Sequence, residues 1–126
     1  MMFPTRPEHW PQVFEQHFNA GDLDAVMALY EPEAHFVTRS GETLIGRQEI
    51  RKVLCRLVDA KTRLRSRVIK CVSVEDIAQL YTDFEGTTID SSGNTVAIVN
   101  KAIEVLRRHP DGFWKLIMGD PNGREC

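Results

Sequence analysis

Apolar positions change their period half-way along this chain. Trp10, Val13, Phe14, His17 and Phe18 recur at helical spacing, which predicts an amphipathic helix over residues 8–19. Gly21 is placed to end it in a left-handed cap, and Asp22 to cap a second helix with Leu23, Val26, Met27 and Tyr30 on one face. Pro32 stops that helix, because the residue before a proline is pushed out of the helical region. Residues 34–38 read as a short strand, and "RSGETLIG" as a turn with room for a second one. Gly46 then opens a third helix, with Glu49 in its first turn favoured by the dipole. Ile50, Val53, Leu54, Leu57 and Val58 give that helix the clearest periodicity in the chain.

Beyond residue 60 the segments "TRLRSRVIKCVSV", "DIAQLYTDFEGTTI", "TVAIVNKAIEVLRR" and "FWKLIMGD" are rich in β-branched and aromatic residues. Turn signals separate them at Glu75-Asp76, "DSSGN" and "HPDG". Four consecutive strands with short turns predict an antiparallel meander. Helices first and a long sheet afterwards make an α+β domain. A length of 126 residues is one domain's worth, so residues 1–126 are read as a single unit.

Net charge is −2, so no global field draws the chain to nucleic acid or to an anionic membrane. No run approaches the ~18 apolar residues of a membrane span. Neither does "MMFPTRPEHW" carry the basic and apolar regions of a secretion signal. Cys55, Cys71 and Cys126 show no zinc spacing and read as free thiols of a reducing, cytoplasmic environment. No metal and no cofactor is expected: His9 and His17 share a helix face but lie ~12 Å apart, and His35 and His109 fall elsewhere. Arg63, Arg65 and Arg67 form a basic stripe without interleaved aromatics, which speaks for a solvated or subunit-facing strand rather than a nucleic-acid surface.

The order of elements resembles the nuclear transport factor 2-like (cystatin-like) fold, a cone of curved antiparallel sheet closed by three N-terminal helices. "FNAGDLDAVMALYEPEAHFV" followed by "GRQEIRKVL" is similar to the first half of the ketosteroid isomerase and SnoaL-like families. "EVLRRHPDGFWKLIMGDPNG" is similar to a subgroup of uncharacterised bacterial SnoaL-like proteins. The resemblance extends over nearly the whole chain, but the isomerase's catalytic parts do not carry over. Its oxyanion-donating Tyr on the first helix falls on Phe14, its general base on Thr38, and its second donor near Lys101. A phenyl ring cannot donate, and a threonine hydroxyl is a poor base at neutral pH. The chain is therefore not read as a ketosteroid isomerase.

With "DSSGN" as a loop, Ile89 faces Thr95, which sets Asp83 opposite Lys101 and Tyr81 opposite Ile103. Gln79, Tyr81, Asp83, Val99, Lys101 and Ile103 then share one side, and Leu80, Thr82, Phe84 and Ala102 the other. The resemblance implies that the first set lines the pocket and that the second is buried in a homodimer. On that placement Asp83 and Lys101 are either an acid–base pair or a cross-strand salt bridge, and Tyr81 either a ligand donor or an apolar wall. Phe14, Phe18, Met27, Tyr30, Phe36, Leu54 and Val58 would line the pocket, with Thr38 also within it. Asp120 would stand at the mouth or cap a turn before Pro121.

The expected function is binding of a small apolar molecule with a polar oxygen near Lys101. One alternative is a cofactor-independent isomerase, cyclase or lyase with Asp83 as base and Tyr81 or Lys101 as oxyanion stabiliser. Another is an assembly domain, like the association domain of a calmodulin-dependent kinase.

Overall fold

A computed structural model of the chain describes residues 3–125. A single 3-10 turn, Pro7–His9, leads into α1 (Trp10–Asn19). Gly21 takes a φ of 73° just beyond it, and the Asp22 carboxylate accepts from the Ala25 N–H at 3.1 Å to cap α2. That helix is shorter than its apolar spacing predicts, covering only Leu23–Met27. Tyr30 belongs instead to strand β1 (Tyr30–Val37), which begins four residues before the predicted start of residue 34. The cause is tertiary. The Leu29 carbonyl, which a longer helix would keep, accepts from the Leu116 N–H at 2.8 Å and from the Trp10 indole at 3.1 Å. Pro32 is carried inside β1 where its pairing shifts register, a place that tolerates a missing N–H.

A short β2 (Thr43–Ile45) and the third helix α3 (Arg47–Asp59) follow, the latter entered through Gly46 at a φ of 96°. Four strands then run to the end: β3 (Arg63–Val74), β4 (Ile77–Ile89), β5 (Thr95–Arg108) and β6 (Trp114–Asp120). All the strands form one sheet in the order β2-β1-β6-β5-β4-β3, antiparallel throughout except for the β1–β6 pair. The β4–β5 register is the one that the "DSSGN" loop predicts, with Asp83 opposite Lys101 and Ile89 opposite Thr95.

Helix α1 lies against one face of this sheet and is fastened there by polar clamps. Asn19 pairs with the backbone of Leu64, donating to its carbonyl at 2.7 Å and accepting from its N–H at 2.9 Å. Glu15 accepts from both the N–H and the hydroxyl of Ser66. The core sits between: Trp10, Phe14, Phe18, Leu29, Leu80 and Leu106 are buried there. Among the described residues no helix is long and apolar enough to cross a membrane.

Which side of β4 and β5 is inside differs from the expectation. Leu80, Thr82, Phe84 and Ala102 face α1 and are the core, not a subunit surface. Leu80 is 0% exposed within the isolated chain. Apolar side chains on alternate positions gain most by meeting the apolar stripe of α1, so the helix takes this face and leaves Tyr81, Asp83 and Lys101 outside.

Candidate functional site

A cavity of about 90 Å³ opens between α1, α3 and the sheet. Its walls are aromatic because α1 presents Trp10, Phe14 and Phe18 at four-residue spacing, one above the other on one stripe. Their rings stack successively at 5.4 and 5.5 Å. Tyr30 from β1 meets Trp10 edge-on at 5.7 Å, and Phe84 from β4 meets Phe14 edge-on at 5.9 Å. Phe36, Leu54, Leu57, Leu64, Ala102 and Leu116 complete the apolar surface. Asn100, Gly119, Asp120 and Pro121 contribute its polar and backbone-rich edge. There Asn100 donates to the Asn122 side chain at 3.2 Å, and the Asn122 N–H donates to Asp120 at 3.2 Å.

One buried carboxyl lies within this lining. Glu104 on β5 is 5% exposed, and its Oε1 accepts from the Thr82 hydroxyl at 2.8 Å. Glu104 is among the residues lining the cavity, and because no fully buried side-chain nitrogen or oxygen among the described residues lacks a partner, its second carboxyl oxygen, to which no hydrogen bond is made, is not fully buried. Burial pushes the Glu104 carboxyl up to about 7, against the opposing effects of the Thr82 hydrogen bond and the Arg124 charge. Burial also raises the Tyr30 phenol, and the negative charge of Glu104 raises it further. Near neutral pH the site thus holds a phenol that stays protonated and a carboxyl that titrates. Such a carboxyl donates a hydrogen bond when neutral and balances a cation when charged.

Phe14, Phe18, Tyr30, Phe36, Leu54 and Asp120 line this cavity together. Three expected members stand apart from it. Thr38 lies in the turn after β1, where its hydroxyl accepts from the Glu42 N–H at 3.2 Å and bonds Ser40. Val58 borders a separate surface depression with Phe18, Asn19 and Thr62. Met27 is buried in the core.

Tyr81, Asp83 and Lys101 do come together, but on the outer face of the sheet. Lys101 Nζ donates to Asp83 at 3.0 Å and Arg124 donates to its other oxygen at 2.6 Å. The Arg124 guanidinium also lies 5.1 Å from the centre of the Tyr81 ring. These bonds, Arg124 first and Lys101 second, hold the Asp83 carboxyl below its usual range. A carboxylate so stabilised is a weak base. The cluster reads as a salt-bridge network that ties the C-terminal segment to the hairpin.

Sequence reasoning missed Glu104, Trp10, Asn100 and Arg124. A signal for Glu104 was present: it alternates with Ala102 and Leu106, and the hairpin register puts it opposite Leu80. Arg124 carries no comparable signal. Among the described residues no three His, Cys, Asp or Glu side chains are grouped as metal ligands would be.

A SnoaL-like domain model matches residues 12–117, most of the chain. The chain belongs to the SnoaL-like family. Solved structures similar to this SnoaL-like protein include a ketosteroid isomerase-like protein from Erwinia carotovora atroseptica. That structure is 19% identical, with a TM-score of 0.78 over 90% of this chain and 89% of the other. Another is a nuclear transport factor 2-like protein with a cystatin-like fold from Novosphingobium aromaticivorans, 15% identical, with a TM-score of 0.73 over 90% and 76% of the two chains. A third is a putative calcium/calmodulin-dependent protein kinase type II association domain from Thiobacillus denitrificans. It is 23% identical, with a TM-score of 0.72 over 96% and 98%. At these identities the likeness shows the nuclear transport factor 2-like fold and leaves activity to the site itself. No curated protein matches this SnoaL-like sequence.

Proposed function

We propose that this SnoaL-like protein binds a small, mostly apolar molecule in the cavity beneath α1. The observation that carries this reading is the single buried carboxyl of Glu104 in a cavity walled mostly by aromatic and aliphatic side chains. Apolar walls supply affinity and one placed polar group supplies orientation, the usual division of labour in ligand pockets. The volume suits a compound smaller than benzene, for which a cavity of ~150 Å³ suffices. Ligand-observed NMR with a set of small organic compounds tests this. Binders of the wild-type chain lose their signal with Ala102→Leu, which fills the cavity; equal signals from both chains would overturn the reading.

A second reading is favoured by the same residue. A carboxyl titrating near neutrality can take and return a proton, so the acid–base chemistry expected of Asp83 is assigned to Glu104 in a cofactor-independent isomerase or lyase. Turnover of a bound compound that survives Glu104→Gln would remove it.

A homodimer and a cytoplasmic location belong to the proposal. Val72, Val74 and Val99 stand 51%, 68% and 53% exposed on the outer sheet face, which supports a covered surface there. Cys55 and Cys71 are free, as suits a reducing compartment. Sedimentation of the wild type as a dimer, reduced to a monomer by Val99→Lys, is the expected result. A wild-type monomer at micromolar concentration would refute the dimer.

A further inference from the structure

Resting on the cavity being a binding site, its ligand class follows from its electrostatics. We infer that the site takes a small protonated amine, with the Glu104 carboxylate as counter-ion and the aromatic side chains of Trp10, Phe14, Tyr30 and Phe84 as walls.

Three observations converge. First, the residues lining the cavity include two acids, Glu104 and Asp120, and no Lys, Arg or His. Second, the negative faces of aromatic rings attract a cation, and more strongly where water is excluded. Third, Glu104 is incompletely paired: Thr82 bonds Oε1, while the nearby cation, Arg124, directs its donors to Asp83 and to the carbonyls of Thr82 and Ala102. A buried carboxylate without a cation costs free energy, and an ammonium in contact with it removes that cost while satisfying its own charge. The volume of about 90 Å³ restricts the amine to one with a short alkyl group.

A neutral ketone or alcohol would use the same carboxyl in its protonated form, as donor. The two ligand classes therefore respond to pH in opposite directions. The groups facing Glu104 are Thr82 from β4, the Tyr30 phenol from β1 and the fixed charge of Arg124 from the C-terminal segment, with Asp120 at the edge of β6. Burial and the Glu104 charge keep the Tyr30 phenol neutral, so it adds no step near neutrality.

Isothermal titration of the intact chain with propylamine, and with butan-2-one as neutral probe, tests the assignment. Propylamine stays protonated from pH 5.5 to 8.5, as a lysine side chain does. With Glu104 titrating at about 7, its affinity should rise by about thirtyfold across that range. Glu104→Gln, which keeps the shape of the side chain, should weaken propylamine binding at pH 8.5 by about tenfold or more and flatten its dependence on pH. Should that variant fail to fold, the pH series on the wild type decides alone. Propylamine affinity that is flat or falls with pH, or that survives Glu104→Gln, overturns the amine assignment. Binding of butan-2-one that strengthens toward low pH, without amine binding, overturns it too and leaves the binding function standing. Binding of neither probe at any pH overturns both.

Discussion

Thr82 and Glu104 lie diagonally across β4 and β5, both buried, with the threonine hydroxyl donating to the carboxyl at 2.8 Å. This is the polar centre of an apolar cavity, and it makes the folded state sensitive to pH.

The Glu104 carboxyl is raised from 4.5 to about 7 on folding, so the folded chain binds more protons than the unfolded chain between those values. Stability consequently falls as pH rises from about 4.5 to 7 and levels off above. The penalty at pH 8 is of order 3 kcal/mol. Glu104→Gln has no charge to bury. Urea unfolding should show it more stable than the wild type at pH 8 by about 2–3 kcal/mol, with the advantage disappearing near pH 4.5. An equal difference at both values would mean that Glu104 is not the titrating group.

Leu80 reports which face of β4 is core. Its truncation to alanine should destabilise the isolated chain by about 2–5 kcal/mol at every protein concentration, measured by denaturant unfolding. A loss seen only where the chain associates would return Leu80 to a dimer surface.

Arg124 bonds one charged centre, Asp83, and acts on the other, Glu104, through its charge. Replacing it with alanine removes its hydrogen bonds to Asp83 and to two strand carbonyls, a loss of about 1–3 kcal/mol. Because Arg124 lowers both carboxyls, Asp83 and Glu104 should each titrate at higher pH in the variant, as read by carboxyl carbon NMR. The stability that Asp83 contributes is present above its unfolded value of 3.8 and is lost as pH falls through its lowered folded value. Without Arg124 that acid-side loss should shrink. A Glu104 titration unmoved by the substitution would place Arg124 outside its field.

Gly86 pairs with Leu64 where β3 crosses under the end of α1. A Cβ there would sit 1.8 Å from the Arg63 carbonyl oxygen, so Gly86→Ala must push backbone apart. Thermal or urea unfolding should record a loss of about 2–4 kcal/mol. A neutral effect would show that the β3–β4 pair yields at this point.

Much of the fold was legible. The α1 stripe of Trp10, Phe14 and Phe18, the cap at Asp22, the turn glycines and the loop "DSSGN" act through neighbours in the chain, so local reading recovers the helices and the Asp83–Lys101 register. Failures came where distant partners decide. Tyr30 fits a helix face by spacing, yet Leu116 and Trp10 capture the carbonyl beside it and draw the chain into β1. The site failed for a related reason. Alternation alone marks Leu80, Phe84 and Ala102 as the apolar set, and the charged set was placed inside by resemblance rather than by its own chemistry.

By itself, then, the sequence determined which residues are paired and which share a face, because strand alternation and turn geometry are short-range. Tertiary structure decided which face is covered and what its one acid does. Val74, Val99 and Met118 keep apolar surface on the outer side as well, so burial on either face was compatible with the pattern. Only the seating of α1 over Leu80 and Phe84 resolves it. The same packing withdraws Glu104 from water, and a carboxyl's proton affinity follows from what surrounds it rather than from its place in the chain.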